Sequence, residues 1–363
     1  MELSRTRRAA ATWLLMLALA VLAAACDGGA AANTAITADT DGTEAAAGAD
    51  VTLNLGYFPN ITHATAIVGD RSGLYTDALG DDVTLKTHFF NAGPEATEAL
   101  FAEAIDATFI GPNPAINAHA QSGGEAIRIV SGATSGGAFL VVRPEITKPA
   151  DLKGATIASP QLGGTQDVAL RSWLKDQGFA TDESGGGDVA VQPQSNGDTL
   201  SAFIAGDIDG AWVPEPWATR LIREGKGTVL VDEADLWPEG RYVTTHLIVR
   251  TEYLNEHPDV IKALLTGHVE ATEFTNANTE QAQTFTREGI EEITGEKLDP
   301  ETVAAAWKNL TFTVDPIASS LTASKDAAVD VGLLEDVDLA GIYALEPLNE
   351  VLAAAGQAQV SDS

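Results

Sequence analysis

Residues 158–170 read ASPQLGGTQDVAL: a strand end, a paired-glycine turn and the first turn of an amphipathic helix. Glycines before a helix N-terminus let backbone N–H groups converge on an anion, and the helix dipole adds favourable potential there. Gly163 and Gly164 supply the turn, and Thr165 and Gln166 add side-chain donors. The turn lacks the lysine of GxxxxGK[ST] and the three glycines of the dinucleotide fingerprint. A nucleotide phosphate is therefore a poor occupant and a small oxyanion a better one. Asp167 sits in the same first turn and is expected to satisfy part of the dipole. That shifts the expected contact to Gly164, Thr165 and Gln166 rather than to the helix as a whole.

Four other segments carry groups suited to a ligand. In GYFPNITHATAIVG, Phe58, Asn60 and His63 follow a strand end and precede a helix, offering an aromatic wall, amide donors and an imidazole at a cleft mouth. GPNPA places Asn113 between two prolines, as a ligand contact or as part of a rigid turn. VPEPW adds Glu215 and Trp217, with Trp212 just before it, and these tryptophans either line the cleft or pack beneath it. SGATSGGAF places Ser135, Gly136 and Gly137 where small residues allow close approach of a ligand or a bent hinge. The chain has no H-E-x-x-H and no G-x-S-x-G, and His257 and His268 have no third ligand spaced with them. No catalytic residue, no metal and no cofactor is expected.

The elements that must position these segments alternate short apolar strands with amphipathic helices from residue 51 onward, which predicts α/β architecture with mainly parallel sheets. IDATFIGPNPA from Ile105 and IDGAWVPEPWA from Ile208 are two copies of one pattern, a strand running into a proline turn and a helix. Two lobes would then each offer a proline-bearing loop at the carboxyl end of a strand, where open α/β sheets place their ligand sites. GGAFLVVR (136–143) and VTTHLIVR (243–250) read as the two crossings between lobes. The expected organisation is lobe 1 over 51–138, lobe 2 over 139–242, and the rest of lobe 1 with C-terminal helices over 243–363.

Before residue 51 the chain reads as targeting rather than fold. MELSRTRR is basic, AAATWLLMLALAVLAAA is apolar, and small residues crowd before Cys26, so residues 1–25 are expected to be a secretory signal. VLAAAC resembles a lipobox, making Cys26 the expected lipidation site. Cys26 is the only cysteine, so lipidation would leave no free thiol. Residues 26–50 read as a flexible tether of about 25–30 Å root-mean-square reach. Cleavage before Cys26 would take the formal charge from −31 to −33, because three arginines and Glu2 depart with the signal. Nucleic acid is excluded as a partner by such acidity, and an anion site would have to work through local dipoles inside a cleft.

Read in order, GYFPNITHA, FNAGPEATEALFAEAIDATFIGPNPA, KPADLKGATIASPQLGGTQDVALRSWL, DIDGAWVPEPWATRL and THLIVRTEYLNEHPDVIKALL resemble the nitrate, taurine and aliphatic-sulfonate family of solute-binding proteins of ABC transporters. DLKG and DGAWVPEPW are its more specific phrases, and the resemblance spans roughly residues 51–310. It implies a periplasmic-binding-protein-like fold of two α/β lobes with a two-strand hinge, closing on a small solute without chemistry. It further implies an exported, membrane-anchored or periplasmic monomer that delivers solute to ABC permease subunits. Carried over by position, the solute contacts would be Phe58, Asn60, His63, Asn113, Ser135, Gly136, Gly164, Thr165, Gln166, Trp212, Glu215 and Trp217. GGTQD stands where sulfonate-binding members tend to be serine-rich, so the solute stays open between sulfonate, taurine and nitrate. PNITHA also resembles the pyrimidine-precursor branch associated with thiamine synthesis, which would favour stacking on Trp212 and Phe58. The enzymes of that branch are intracellular and carry a cysteine-rich segment that this chain lacks. A sensor subunit handing its ligand to a signalling partner would share every one of these features.

Overall fold

The computed structural model describes residues 51–362, so the expected signal, Cys26 and the whole of the expected tether lie outside the described residues. The chain begins with β1 (Val51–Tyr57), α1 (Ala64–Arg71), α2 (Leu74–Leu79), β2 (Val83–Phe89), α3 (Gly93–Phe101), β3 (Ala107–Ile110), α4 (Pro112–Gln121) and β4 (Ile127–Gly136). It continues through β5 (Ala138–Val142), β6 (Thr156–Ser159), α5 (Thr165–Asp176), β7 (Ala190–Pro193), α6 (Asn196–Ala205), β8 (Gly210–Pro214), α7 (Trp217–Arg223) and β9 (Thr228–Asp232). The last part is β10 (Val243–Arg250), α8 (Thr251–Glu256), α9 (Pro258–Ala277), α10 (Thr279–Thr294), α11 (Pro300–Trp307), β11 (Leu310–Phe312), α12 (Ala318–Asp330) and α13 (Glu346–Ala354). Among the described residues no helix is long and apolar enough to cross a membrane.

The strands form two sheets, ordered β11-β4-β10-β3-β1-β2 and β7-β6-β8-β5-β9. Each contains a parallel trio, β2-β1-β3 and β7-β6-β8, as β-α-β alternation requires. Each trio is then joined by antiparallel strands, β10 against β3 and β5 against β8. The sheets are therefore mixed rather than mainly parallel. The segments read as crossings enter the sheets themselves, in the opposite direction to the strands they border.

The repeat seen in the sequence is also a repeat of bonding. Asp106 Oδ2 accepts from the Asn54 N–H at 2.8 Å, and Asp209 Oδ2 accepts from the Thr156 N–H at 2.8 Å. Each aspartate thus ties the foot of the third strand of its trio to the first. Arg250, ending β10, and Arg143, just past β5, return to these same residues: their N–H groups donate to the carbonyls of Asp106 and Asp209 at 2.8 and 2.9 Å. Their guanidinium groups lie 3.3 and 3.9 Å from the two carboxylates. The two Val-Arg endings are one clasp, made twice.

The inner strands β3, β5 and β8 are buried on both faces, which explains why they read as nearly unbroken apolar runs, while the edge strands β2 and β9 are partly exposed. Alternation assigns the faces. In β8, Ala211 and Val213 join the core that holds Phe203 and Leu221, while Trp212 points into the opposite core with Leu140, Ile157 and Trp173. The chain leaves the first sheet at Gly136 and Gly137, whose φ angles of 82° and 77° only glycine adopts without strain. A Cβ at Gly136 would also press on the Asn309 carbonyl at 2.8 Å. Of the two readings of SGG, the bent hinge is the one built here.

Candidate functional site

A cavity of about 40 Å3 lies where the carboxyl ends of the two parallel trios face each other. By that measure one water needs roughly 10–15 Å3, so the space suits a small solute. After β1 come Phe58, Asn60, Thr62 and His63, after β2 Asn91, Ala92 and Gly93, and after β3 Gly111 and Pro114. From the other sheet come Pro160, Gln161, Gly164, Thr165 and Gln166 after β6, Asn196 after β7, and Pro214 ending β8. Thr244 and Thr245 of β10 complete the wall. Equivalent loops of the repeat meet across one space.

Four helices begin at this wall: α3, α4, α5 and α6. The first N–H groups of a helix have no partner inside it. At α3, α4 and α5 no side chain caps them, although Pro94 of α3 and Pro112 and Pro114 of α4 bring no N–H of their own. Partial positive charge therefore converges on the cavity from both sheets. None of the lining side chains is a lysine, arginine, aspartate or glutamate. Gln161 Oε1, Thr165 Oγ1 and Asn196 Oδ1 are buried there without a hydrogen-bond partner.

The one titratable group on the wall is His63. Burial lowers its pKa to about 3, so the ring is neutral at physiological pH. Its Nδ1 accepts from the Phe58 N–H at 3.3 Å, which puts the proton on Nε2 as a donor. The Phe58 ring stacks on the imidazole with centroids 4.4 Å apart. Phe58 thus spends one face on His63.

Asp167 is not the obstacle that its position in the first turn of α5 suggested. Its carboxylate accepts from Ser159 Oγ at 2.6 Å, Gly163 N–H at 3.0 Å and Arg171 Nε at 3.0 Å. Both members of the Asp167–Arg171 pair are buried, so the charge is neutralised away from the cleft. The Gly163 contact holds the glycine turn in place.

Of the residues expected as contacts, Phe58, Asn60, His63, Gly164, Thr165 and Gln166 are brought together on the wall. The other six stand elsewhere. Asn113 lies inside α4 rather than in a loop, and its Nδ2 donates to the Ser324 carbonyl of α12 at 3.1 Å. Ser135 accepts from the Tyr242 N–H at 3.4 Å and the Gly136 carbonyl accepts from Thr244 Oγ1 at 2.6 Å, both within the hinge. Trp212 is fully buried and donates to Glu233 Oε2 at 2.7 Å, because strand alternation turns it from the cleft. Glu215 is buried by Thr219 and Asn309, with Oε1 accepting from each at 2.8 Å. Trp217 borders the site instead of lining it: its Nε1 donates to Asn60 Oδ1 at 2.8 Å, from one half to the other.

The sequence reading missed Thr62, Asn91, Gln161, Asn196, Thr244 and Thr245. Asn91 and Asn196 had a signal. They follow the second strand of each parallel trio, and extending the repeat by one strand in both copies brings them in.

The chain is 29% identical over 266 residues to a Brucella abortus protein named as a binding protein, covering 72% of this chain and 78% of that one. It is 28% identical over 196 residues to the taurine-binding periplasmic protein of Escherichia coli K12, covering 54% and 59%. Among solved structures, the alkanesulfonate-binding protein SsuA from Xanthomonas axonopodis pv. citri aligns with a TM-score of 0.66 at 19% identity, over 79% of this chain and 95% of that one. The periplasmic nitrate-binding protein NrtA from Synechocystis PCC 6803 aligns with a TM-score of 0.68 at 16% identity, over 84% and 89%. These two establish the periplasmic-binding-protein fold. The NMT1-like family model matches residues 46–287, and the chain belongs to the NMT1-like family.

Proposed function

We propose that this protein is the solute-binding component of an ABC importer and captures a small organic sulfonate or related oxyanion by lobe closure, without chemistry. The observation that carries the reading is the cavity between the two sheets: uncapped helix starts, neutral donors and no ionised side chain on the wall. Such a site holds an anion through oriented dipoles and supplies no nucleophile or base. The relatives named for taurine and nitrate binding support the same class of solute. The moving bodies in this reading are 51–138 with 243–363, and 139–242. Closure then goes only as far as the solute prefers the closed form.

A pyrimidine precursor is less well served. Trp212 is buried away from the cleft and one face of Phe58 is taken by His63, which removes the stacking platform that reading needs. The signal-like residues 1–25 and Cys26 support export and a lipid anchor on the outer face of the membrane, with a monomer presenting solute to permease subunits. The mass of the N-terminal peptide of the mature protein tests the anchor.

The solute class is tested by thermal shift. A saturable rise in melting temperature is expected with an alkanesulfonate or nitrate and not with an uncharged analogue. No shift with sulfonates, nitrate or taurine refutes the reading.

A further inference from the structure

We infer that the cleft selects solutes that carry negative charge and no ammonium group, so that unsubstituted alkanesulfonates and nitrate-like anions are taken and the aminosulfonate taurine is rejected. This rests on the oxyanion reading and narrows it. It also departs from the E. coli relative, which is named for taurine.

An ammonium group brought into this space finds no counter-charge on the wall, the Glu95 carboxylate standing behind it and accepting from the Asn91 N–H at 3.1 Å. No carboxylate lines the cavity. The two nearest in sequence to its wall are committed elsewhere. Asp167 is held by Arg171, Ser159 and the Gly163 N–H, and Glu215 by Thr219 and Asn309. Three helices, α3, α4 and α5, point uncapped positive ends inward, which attracts the sulfonate and repels the ammonium. The two carbons of taurine keep both charges within one enclosing shell.

Asn196 bears most directly on the ligand. It is 8% exposed, stands on the wall, and leaves Oδ1 without a partner. Gln161 Oε1 and Thr165 Oγ1 share that condition on the same half of the cleft. These groups can accept from an N–H, but an amide or hydroxyl dipole does not offset a buried full charge, whose desolvation costs several kcal/mol. Amides also donate when turned about their terminal bond, so the same side chains serve an anion without rearranging the wall.

Calorimetric titration of the mature protein with ethanesulfonate and with taurine isolates the ammonium, since the two differ only there. Taurine is expected to bind at least roughly tenfold more weakly at pH 7. Equal or tighter binding of taurine overturns the inference while leaving the oxyanion reading standing. Binding of neither, with nitrate also silent, removes that reading and the selectivity with it. The variant Asn196→Asp, checked for native circular dichroism, places a carboxylate on the wall. Its ratio of taurine to ethanesulfonate affinity is expected to rise at least roughly tenfold, and an unchanged ratio in the folded variant overturns the inference. Should that variant not fold, the wild-type pair of titrations decides alone.

Discussion

Replacing Asp167 by alanine removes one member of an ion pair whose side chains are 0% and 2% exposed. Arg171 keeps its contact to the Asp182 carbonyl, but its charge is left buried without a counter-ion. Breaking a buried pair from one side costs about 3–5 kcal/mol. Against a total stability of about 5–15 kcal/mol, that is a large fraction. The double change Asp167→Ala with Arg171→Met removes the stranded charge and is expected to recover most of the loss, since apolar replacement of a whole buried pair is often neutral. Urea unfolding with linear extrapolation measures both, with the slope m unchanged. Solute affinity separates the second role of Asp167. The Gly163 N–H loses its acceptor in both variants, so affinity falls in both although stability returns in one. A single variant destabilised by less than about 1 kcal/mol, or a double variant no better than the single, refutes the assignment of a buried charge pair that holds the glycine turn.

Gly111→Ala is expected to weaken solute binding at least roughly tenfold, because a Cβ there overlaps Thr165 Oγ1 from the other half. Thr165→Ala in the same chain should restore part of it by calorimetry, and full affinity in the single variant counts against closure at this contact. Trp217→Phe removes the 2.8 Å bond to Asn60 and should cost about 0.5–1.5 kcal/mol of binding, read as a few-fold rise in Kd. Acid should destabilise the fold through the buried histidines: His63 is held near a pKa of about 3, and His246 and His268 near about 4, each by burial. Their stabilisation is complete above the unfolded value of about 6.5 and falls as pH drops from there toward 4, because the unfolded chain takes up protons that the native state refuses. Each contributes up to about 1.4 kcal/mol per pH unit over that window. Glu233, raised to about 7 by burial, acts in the opposite sense, as do Glu215, Asp70 and Asp232, whose carboxyls burial also raises. The urea midpoint should therefore fall between pH 6.5 and 5, less steeply than the histidines alone would make it, and a midpoint that rises over that window contradicts the neutral histidines.

The repeat was legible because it is written in residues with obligatory partners. Asp106 and Asp209 stand at the same place in each copy, and their clasps to Arg250 and Arg143 depend on strand ends that sequence spacing locates. Asn60, Gly164 and Thr165 were legible for a different reason, their position between a strand end and a helix start. Trp212 was not, because one step along a strand turns a side chain to the other face, and which face meets the cleft depends on the neighbouring strands β5 and β6. Asn113 was misplaced because its prolines begin a helix rather than fix a loop. The partners of Glu215 and Trp217, Asn309 and Asn60, lie 94 and 157 residues away, a pairing that no local pattern carries.

Native mass spectrometry of the protein purified without added solute tests the central claim most directly. The account predicts one small anionic solute per chain, released on denaturation and identified by its mass as a sulfonate or a related oxyanion. A cationic or uncharged solute held at one per chain, and not displaced by sulfonates or nitrate, would contradict it.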